Sequence, residues 1–381
     1  MPVSAHQPIE TCDRRGPLFT GPDLKLGIFG FNVSAGGGLS KSPSRYEIDW
    51  HDNVRLARKA EEAGFEAAIP FSRWRGFEGE TNPWGRSFET YTWAAGIAAS
   101  TSRIVVFSTS HSLTVSPVVA AKQLTTVDHI ADGRAGLNVV AGWFEKELKM
   151  FGAGKLEHDE RYDYLEEWMD VVCRLWSDDD EFDYVGKFVR VDGGYQQPKP
   201  LQAPRPPVMN AAFSPRGHQF AARYADIAFV SARDVDGARS KAAEIRALAE
   251  SYGRELQVWM SASVVLGETD REAEELVSRY VSEADEQAVR NCIEWTMGGA
   301  RMPPEARRQL SRSVAATPGL PLVGSASRIA EQIGALREAG IDGLALTWID
   351  YPSGLDAFVE QVMPELERQG IRRKPAAIPS R

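Results

Sequence analysis

The stretch GRAGLNVVAGWFEKE, residues 133–147, begins as a buried strand should, with Leu137, Val139 and Val140 supplying apolar, partly β-branched side chains. Asn138 interrupts that run. Ala141-Gly142-Trp143 follows at once, and then the carboxylates Glu145 and Glu147. A strand that only supports a fold needs neither an amide in its centre nor a small-residue turn opening into an indole and two acids.

On the N-terminal side, LKLGIFGF (24–31) reads as a strand, followed by a Gly/Ser-rich loop (32–46), a helix over 48–64 that ends on Gly64, and a second strand over 65–70. A helix at 87–100, a strand at 103–108 and a helix at 117–131 lead into the Asn138 strand. Beyond it the alternation continues: helix 160–176, strand 206–213, helix 215–224, strand 226–231, helix 235–252, strand 255–265, helix 325–339, strand 342–348 and helix 354–368. Eight strands, each followed by a helix, favour a closed α/β (β/α)8 TIM barrel over an open doubly wound sheet. The pattern predicts one barrel over 24–370, with an N-terminal arm (1–23) and a C-terminal tail (371–381). Two insertions depart from it: FDYVGKFVRVDG (182–193) reads as a β-hairpin turning at Gly186, and the charged, helical stretch at about 268–320 lengthens the seventh connection.

Composition agrees with a large globular barrel. The 381 residues are 43% hydrophobic and 25% charged, and the net charge of −9 argues against a general attraction to nucleic acid or anionic membranes. Cys12, Cys173 and Cys292 are widely separated with no CxxC pair, which suggests neither a disulfide framework nor a zinc site and fits a reducing, cytoplasmic setting. No apolar stretch is long enough to span a bilayer, and the N-terminus lacks the apolar core of a secretory signal.

In such barrels chemistry sits where strands end and βα loops begin. Asn138 falls near the end of the fourth strand, and other strand ends share its polar character. The second runs into Ser72-Arg73-Trp74-Arg75, the third ends in Phe107-Ser108-Thr109-Ser110-His111, and the fifth leads to Ser214 at a helix N-terminus able to hold a phosphate. Each also has a plainer reading. Ser214 before Pro215 is a good N-cap, Arg73 and Arg75 are candidates for solvated cations, Thr109 is an ordinary strand former, and Asn138 can satisfy loop backbone. His111 and His158 lack the close partners a metal site wants, so no metal is expected. The convergence of these residues on one mouth favours a wet, aromatic site equipped for an anion.

SRWRGFEGETNPWGRSFETYTWAAGIAASTSRI, AAKQLTTVDHIADGRAGLNVVAGWFEKELKMFG, HDERYDYLEEWMDVVCRLW and FAARYAD together resemble the bacterial-luciferase-like flavin monooxygenases. Within these the chain is similar to the branch holding pyrimidine, dimethyl-sulfone and alkanesulfonate monooxygenases. The resemblance implies a barrel that takes FMN as FMNH2 from a separate NAD(P)H-dependent FMN reductase and uses O2 to oxygenate a small organic molecule, either an organosulfur compound or a pyrimidine-like amide. It also implies a homodimer or homotetramer.

Matched against the pyrimidine-monooxygenase pattern, Ser72, Arg73, Asn138, Glu147, Arg161, Tyr162 and Ser214 fall on flavin-binding positions. Thr109 and Asn138 match the polar residues flanking a small pocket for O2, with Ile69, Phe71, Val140 and Trp143 as its apolar wall. That family enzyme carries Ile-Lys where this chain has Ser72-Arg73, while NVSAGGGLSKS (32–42) and GWFEKE are closer to the sulfone branch. Trp143, Phe71, Trp74 and Phe77 would shield the site from water, with the 268–320 insertion as a lid. Asn138 and Thr109 would each donate a hydrogen bond to oxygen. Two other readings of the same barrel are a deazaflavin (F420)-dependent hydride-transfer enzyme and a non-catalytic flavin-binding barrel.

Overall fold

The computed structural model describes residues 10, 12, 16–21, 23–153, 156–211, 213–296 and 302–373. Much of the expected arm, most of the expected tail, position 212 of the fifth expected strand and positions 297–301 of the insertion lie outside those residues. Eight parallel strands close the barrel in the order β1 (Lys25–Phe29), β2 (Ala67–Ile69), β3 (Val105–His111), β4 (Ala135–Val140), β7 (Val208–Ala211), β8 (Ile227–Val230), β9 (Gln257–Leu266) and β11 (Gly343–Thr347), which pairs back with β1. The expected hairpin is present as antiparallel β5 (Phe182–Val185) and β6 (Arg190–Gly194). Its turn is held by Glu167, whose carboxylate accepts from the backbone N–H groups of Lys187, Phe188 and Val189.

Alternation along each strand divides the side chains between two cores. Leu137 and Val139 of β4 pack outward with Leu124, Leu165 and Trp168 of the surrounding helices. Phe107, Ile69, Met209, Ile227, Phe229 and Trp259 fill the interior, with Leu18 of the N-terminal segment in the same cluster. Two glycines make that interior possible: a Cβ on Gly343 would stand 2.3 Å from the Trp259 ring, and one on Gly136 would stand 2.6 Å from the Phe107 ring.

The helices are α1 (Trp50–Glu62), α2 (Thr90–Ser100), α3 (Pro117–Ile130), α4 (Glu145–Met150), α5 (His158–Ser177), α6 (Pro215–Tyr224), α7 (Val235–Ser251), α8 (Asp270–Ser282), α9 (Glu286–Thr296), α10 (Pro304–Ala316), α11 (Ala326–Glu338), α12 (Tyr351–Ala357) and α13 (Met363–Arg368). Local capping sets their starts. Asp49 accepts from His51 and Asp52 N–H at α1, and Glu89 does the same for α2 with Tyr91 and Thr92.

Two expectations are corrected. The helix read as 354–368 begins at Tyr351, capped by Asp350, and is divided by a π-helical turn over Phe358–Val362. The helical insertion at about 268–320 is followed by a strand not expected from the pattern, β10 (Leu320–Gly324). It pairs in parallel with Ala262–Leu266, the part of β9 that projects beyond the Gln257–Met260 segment paired with β8. The long β9 thus carries the insertion at the C-terminal end of the barrel.

Candidate functional site

Asn138 points into the barrel. It lies opposite Thr109 in the β3–β4 register, and its Nδ2 donates to Thr109 Oγ1 at 3.1 Å. Thr109 in turn donates its only hydroxyl proton to the Pro70 carbonyl at 2.6 Å, while its own carbonyl accepts from Thr90 Oγ1 at 2.7 Å. In this arrangement Thr109 acts as an acceptor that orients Asn138, and its proton is committed to the end of β2. Asn138 Oδ1 is buried and has no hydrogen-bond partner among the described residues. Leaving such an atom unpaired costs about 1–3 kcal/mol, so a donor from a water or a ligand would be favoured there.

Arg73 and Glu147 meet beside this pair. Arg73 Nε is 3.5 Å from Glu147 Oε1, with the side chains 3% and 0% exposed. Glu147 Oε1 also accepts the backbone N–H groups of Trp74 (2.9 Å) and Arg75 (3.0 Å), so one carboxylate from α4 pins the loop that follows β2. The Arg73 guanidinium stands 4.8–5.5 Å from the centroids of Phe77, Trp84, Trp143 and Phe144. Burial pushes its pKa down and Glu147 pulls it back. Arg75 by contrast is exposed.

A third group forms where β4 and β7 end. Arg161 in the first turn of α5 donates Nη1 to the Gly142 carbonyl at 2.7 Å, and its buried Nε has no partner among the described residues. Ser214 caps α6, accepting from Gly217 N–H at 3.1 Å. Burial raises the Tyr162 phenol, while its hydrogen bond to Ser214 and the nearby Arg161 and Arg216 act the other way. The first turn of α5 therefore meets the start of α6, and helix N-termini attract anions. Arg216 fixes the two helices together through Asp163 and Glu166, both at 2.9 Å.

The remaining expected residues form the surround. Ile69 lies in the barrel core, and Phe71 meets Phe29 edge-on at 4.4 Å and Trp84 at 5.1 Å. Val140 is half-buried at the tip of β4. Trp143 and Trp74 remain exposed (44% and 41%), so of the expected apolar cover only Phe77 is fully buried. It packs with Phe144 and with Val289, Cys292 and Ile293 of α9, which places the insertion against the loops after β2 and β4.

Ser72 lines a small crevice of about 20 Å³, room for about one water molecule, together with Arg73, Tyr91, Thr109 and His111. A larger concavity lies on the outer face of α1, lined by Arg55, Arg58 and Lys59, away from the strand ends. Sequence reading missed Asn32, whose side chain accepts from Phe71 N–H at 2.7 Å and donates to the Phe71 carbonyl at 2.8 Å. An isolated Asn in a Gly/Ser-rich loop carries no local sign of that task.

Fold and mouth together define a (β/α)8 barrel with a small-molecule site at its strand ends. The sequence profile of the luciferase-like monooxygenases matches residues 24–343, and the chain belongs to that family. It is 31% identical over 365 residues to the FMNH2-dependent dimethylsulfone monooxygenase of Pseudomonas putida, covering 93% of this chain and 99% of that protein. It is also 31% identical over 351 residues to the pyrimidine monooxygenase RutA of Serratia proteamaculans, covering 90% and 95%. Among solved structures, long-chain alkane monooxygenase (LadA) superposes with a TM-score of 0.83 at 23% identity, over 93% of this chain and 94% of that one. DmoA from Hyphomicrobium sulfonivorans gives 0.79 at 22%, over 94% and 93%. Among the described residues, no helix is long and apolar enough to cross a membrane.

Proposed function

We propose that this chain is the oxygenating component of a two-component flavin monooxygenase. It takes reduced FMN from a separate NAD(P)H-dependent FMN reductase and uses O2 to oxygenate a small organic molecule, either an organosulfur compound such as a sulfone or sulfonate, or a pyrimidine-like amide. The observation that carries the reading is Asn138: an inward amide held by Thr109, with a buried carbonyl oxygen left free for a ligand.

The residues present fit the cofactor. Arg161, Tyr162 and Ser214, at the meeting helix starts, supply cationic and neutral donors for a phosphate, and Asn138 offers a donor and an acceptor to a polar ring edge. Reduced flavin, when bound, supplies the electrons that activate O2. The chain's own part is to orient and to exclude water. Thr109 fixes the rotamer of Asn138, Glu147 fixes the loop bearing Ser72 and Arg73, and the insertion docked on Phe77 and Phe144 covers one side of the mouth.

Anaerobic titration with reduced FMN tests this. Wild type should bind it, and the double variant Arg161→Ala/Ser214→Ala should bind it at least tenfold more weakly while keeping its circular dichroism spectrum. Equal affinity of the two proteins would remove the phosphate assignment.

A further inference from the structure

His111 is the last residue of β3, two positions beyond Thr109 and so on the same inward face. It is only 3% exposed, and its Nδ1 is buried without a partner among the described residues. A neutral imidazole always carries one donor and one acceptor, and neighbouring groups normally use both when the ring serves only the fold. Here the ring lines the crevice between the loop after β2 and the start of α2, alongside Tyr91, Thr109 and Ser110.

The charge of that crevice is equally telling. Arg73 and Glu89 are the ionic residues among those lining it; Arg73 Nε and Nη1 make no hydrogen bond among the described residues, but its charge is balanced. Arg73 is offset by Glu147 and faced by four aromatic rings, and the Glu89 carboxylate caps α2. Burial and the neighbouring Arg73 depress the His111 pKa to about 4, so the ring is uncharged at neutral pH. The wall therefore presents hydroxyls and a neutral imidazole, and no lining residue offers an uncompensated cation for an anionic group.

We propose that His111 is a specificity-determining residue that hydrogen-bonds the polar group of an uncharged substrate, a sulfonyl or amide compound, and that the site discriminates against anions of the same shape. This rests on the flavin-monooxygenase reading of the mouth. A sulfonyl or amide oxygen accepts from the ring N–H, and an amide N–H can donate to its free nitrogen. A sulfonate would lose its hydration to a wall that returns no charge.

The matched probes are dimethyl sulfone and methanesulfonate, which share a shape and differ in charge, with uracil and a small lactam completing a neutral panel. They are added to the FMN-loaded protein labelled with 15N-histidine, the His111 signals being assigned by their loss in His111→Gln. At least one neutral probe should shift the His111 ring nitrogens, and methanesulfonate at the same concentration should not. His111→Leu should weaken binding of that neutral probe about tenfold or more with FMN affinity unchanged, and His111→Gln, which keeps a donor and an acceptor, should recover most of it. A ring that no neutral probe perturbs, a leucine variant within twofold of wild type, or tighter binding of methanesulfonate would each overturn the proposal while FMN still binds. Failure of the wild-type protein to bind reduced FMN would overturn the parent reading and this one with it.

Discussion

Arg73 Nε stands 3.5 Å from Glu147 Oε1 with both side chains withdrawn from water, and this pair, with the Trp74 and Arg75 N–H groups that the same carboxylate accepts, joins the loop after β2 to α4 at the barrel mouth. Removing one member of such a pair leaves the other charge buried and unpaired, a loss of about 3–5 kcal/mol. Glu147→Gln is therefore expected to lower unfolding stability by that order, measured by urea denaturation. Glu147→Leu with Arg73→Met should recover a large part of it. A Glu147→Gln change under about 1 kcal/mol would show that water reaches the pair.

His111 links stability to pH. In the unfolded chain its pKa is near the ordinary 6.5, and in the folded chain burial and Arg73 hold it at about 4. The folded form thus resists a proton that the unfolded form accepts. Its contribution is complete above pH 6.5 and declines as pH falls from there toward 4, by up to about 3 kcal/mol. The difference in unfolding free energy between wild type and His111→Gln, followed from pH 7 to pH 4, should shift in favour of the variant across this window. A constant difference would contradict the buried neutral ring.

Asn138→Asp removes the N–H that reaches Thr109 Oγ1, whose own proton is directed to the Pro70 carbonyl. The new carboxylate would face oxygen acceptors only. The barrel should remain folded by circular dichroism. Coupled product formation with a supplied reductase should fall by a factor on the order of 100 or more, the scale of losing one preorganised donor, with O2 released as hydrogen peroxide instead. Coupled turnover at the wild-type rate would refute the role.

Asp285 fastens the insertion. Its Oδ2 accepts from Thr81 N–H at 2.7 Å and Thr81 Oγ1 at 2.9 Å, while Oδ1 accepts from Ala288 N–H at 3.2 Å. Asp285→Ala should speed amide hydrogen exchange in 270–296 by about tenfold or more, from the loss of interactions worth roughly 1–3 kcal/mol, with the β3–β4 amides unchanged. Uniform exchange in wild type and variant would mean that the apolar contacts of Phe77 and Phe144 hold the insertion without it.

The barrel was legible in the chain because its strands carry apolar side chains on both faces and its helices carry cap residues such as Asp49 and Ser214 at their starts. β10 was not, because LPLVG is short and contains a proline, and its pairing depends on how far β9 projects beyond β8. The inward amide of Asn138 could be read from strand alternation. The allocation of Thr109's proton could not, since its acceptor, the Pro70 carbonyl, comes from another strand. The burial of Arg73 was equally hidden: Phe77 and Trp84 of its cage come from the loop after β2, and Trp143 and Phe144 from the loop after β4, where sequence left a solvated cation equally open.

The most direct test of flavin-based oxygenation at these strand ends is turnover under 18O2 with a supplied FMN reductase and a panel of sulfones, sulfonates and pyrimidine-like amides. Coupled turnover should place one 18O atom in the organic product for each reduced FMN consumed, with loss of that label in Asn138→Asp. Product that forms without O2 uptake, or whose new oxygen comes from water, would contradict it.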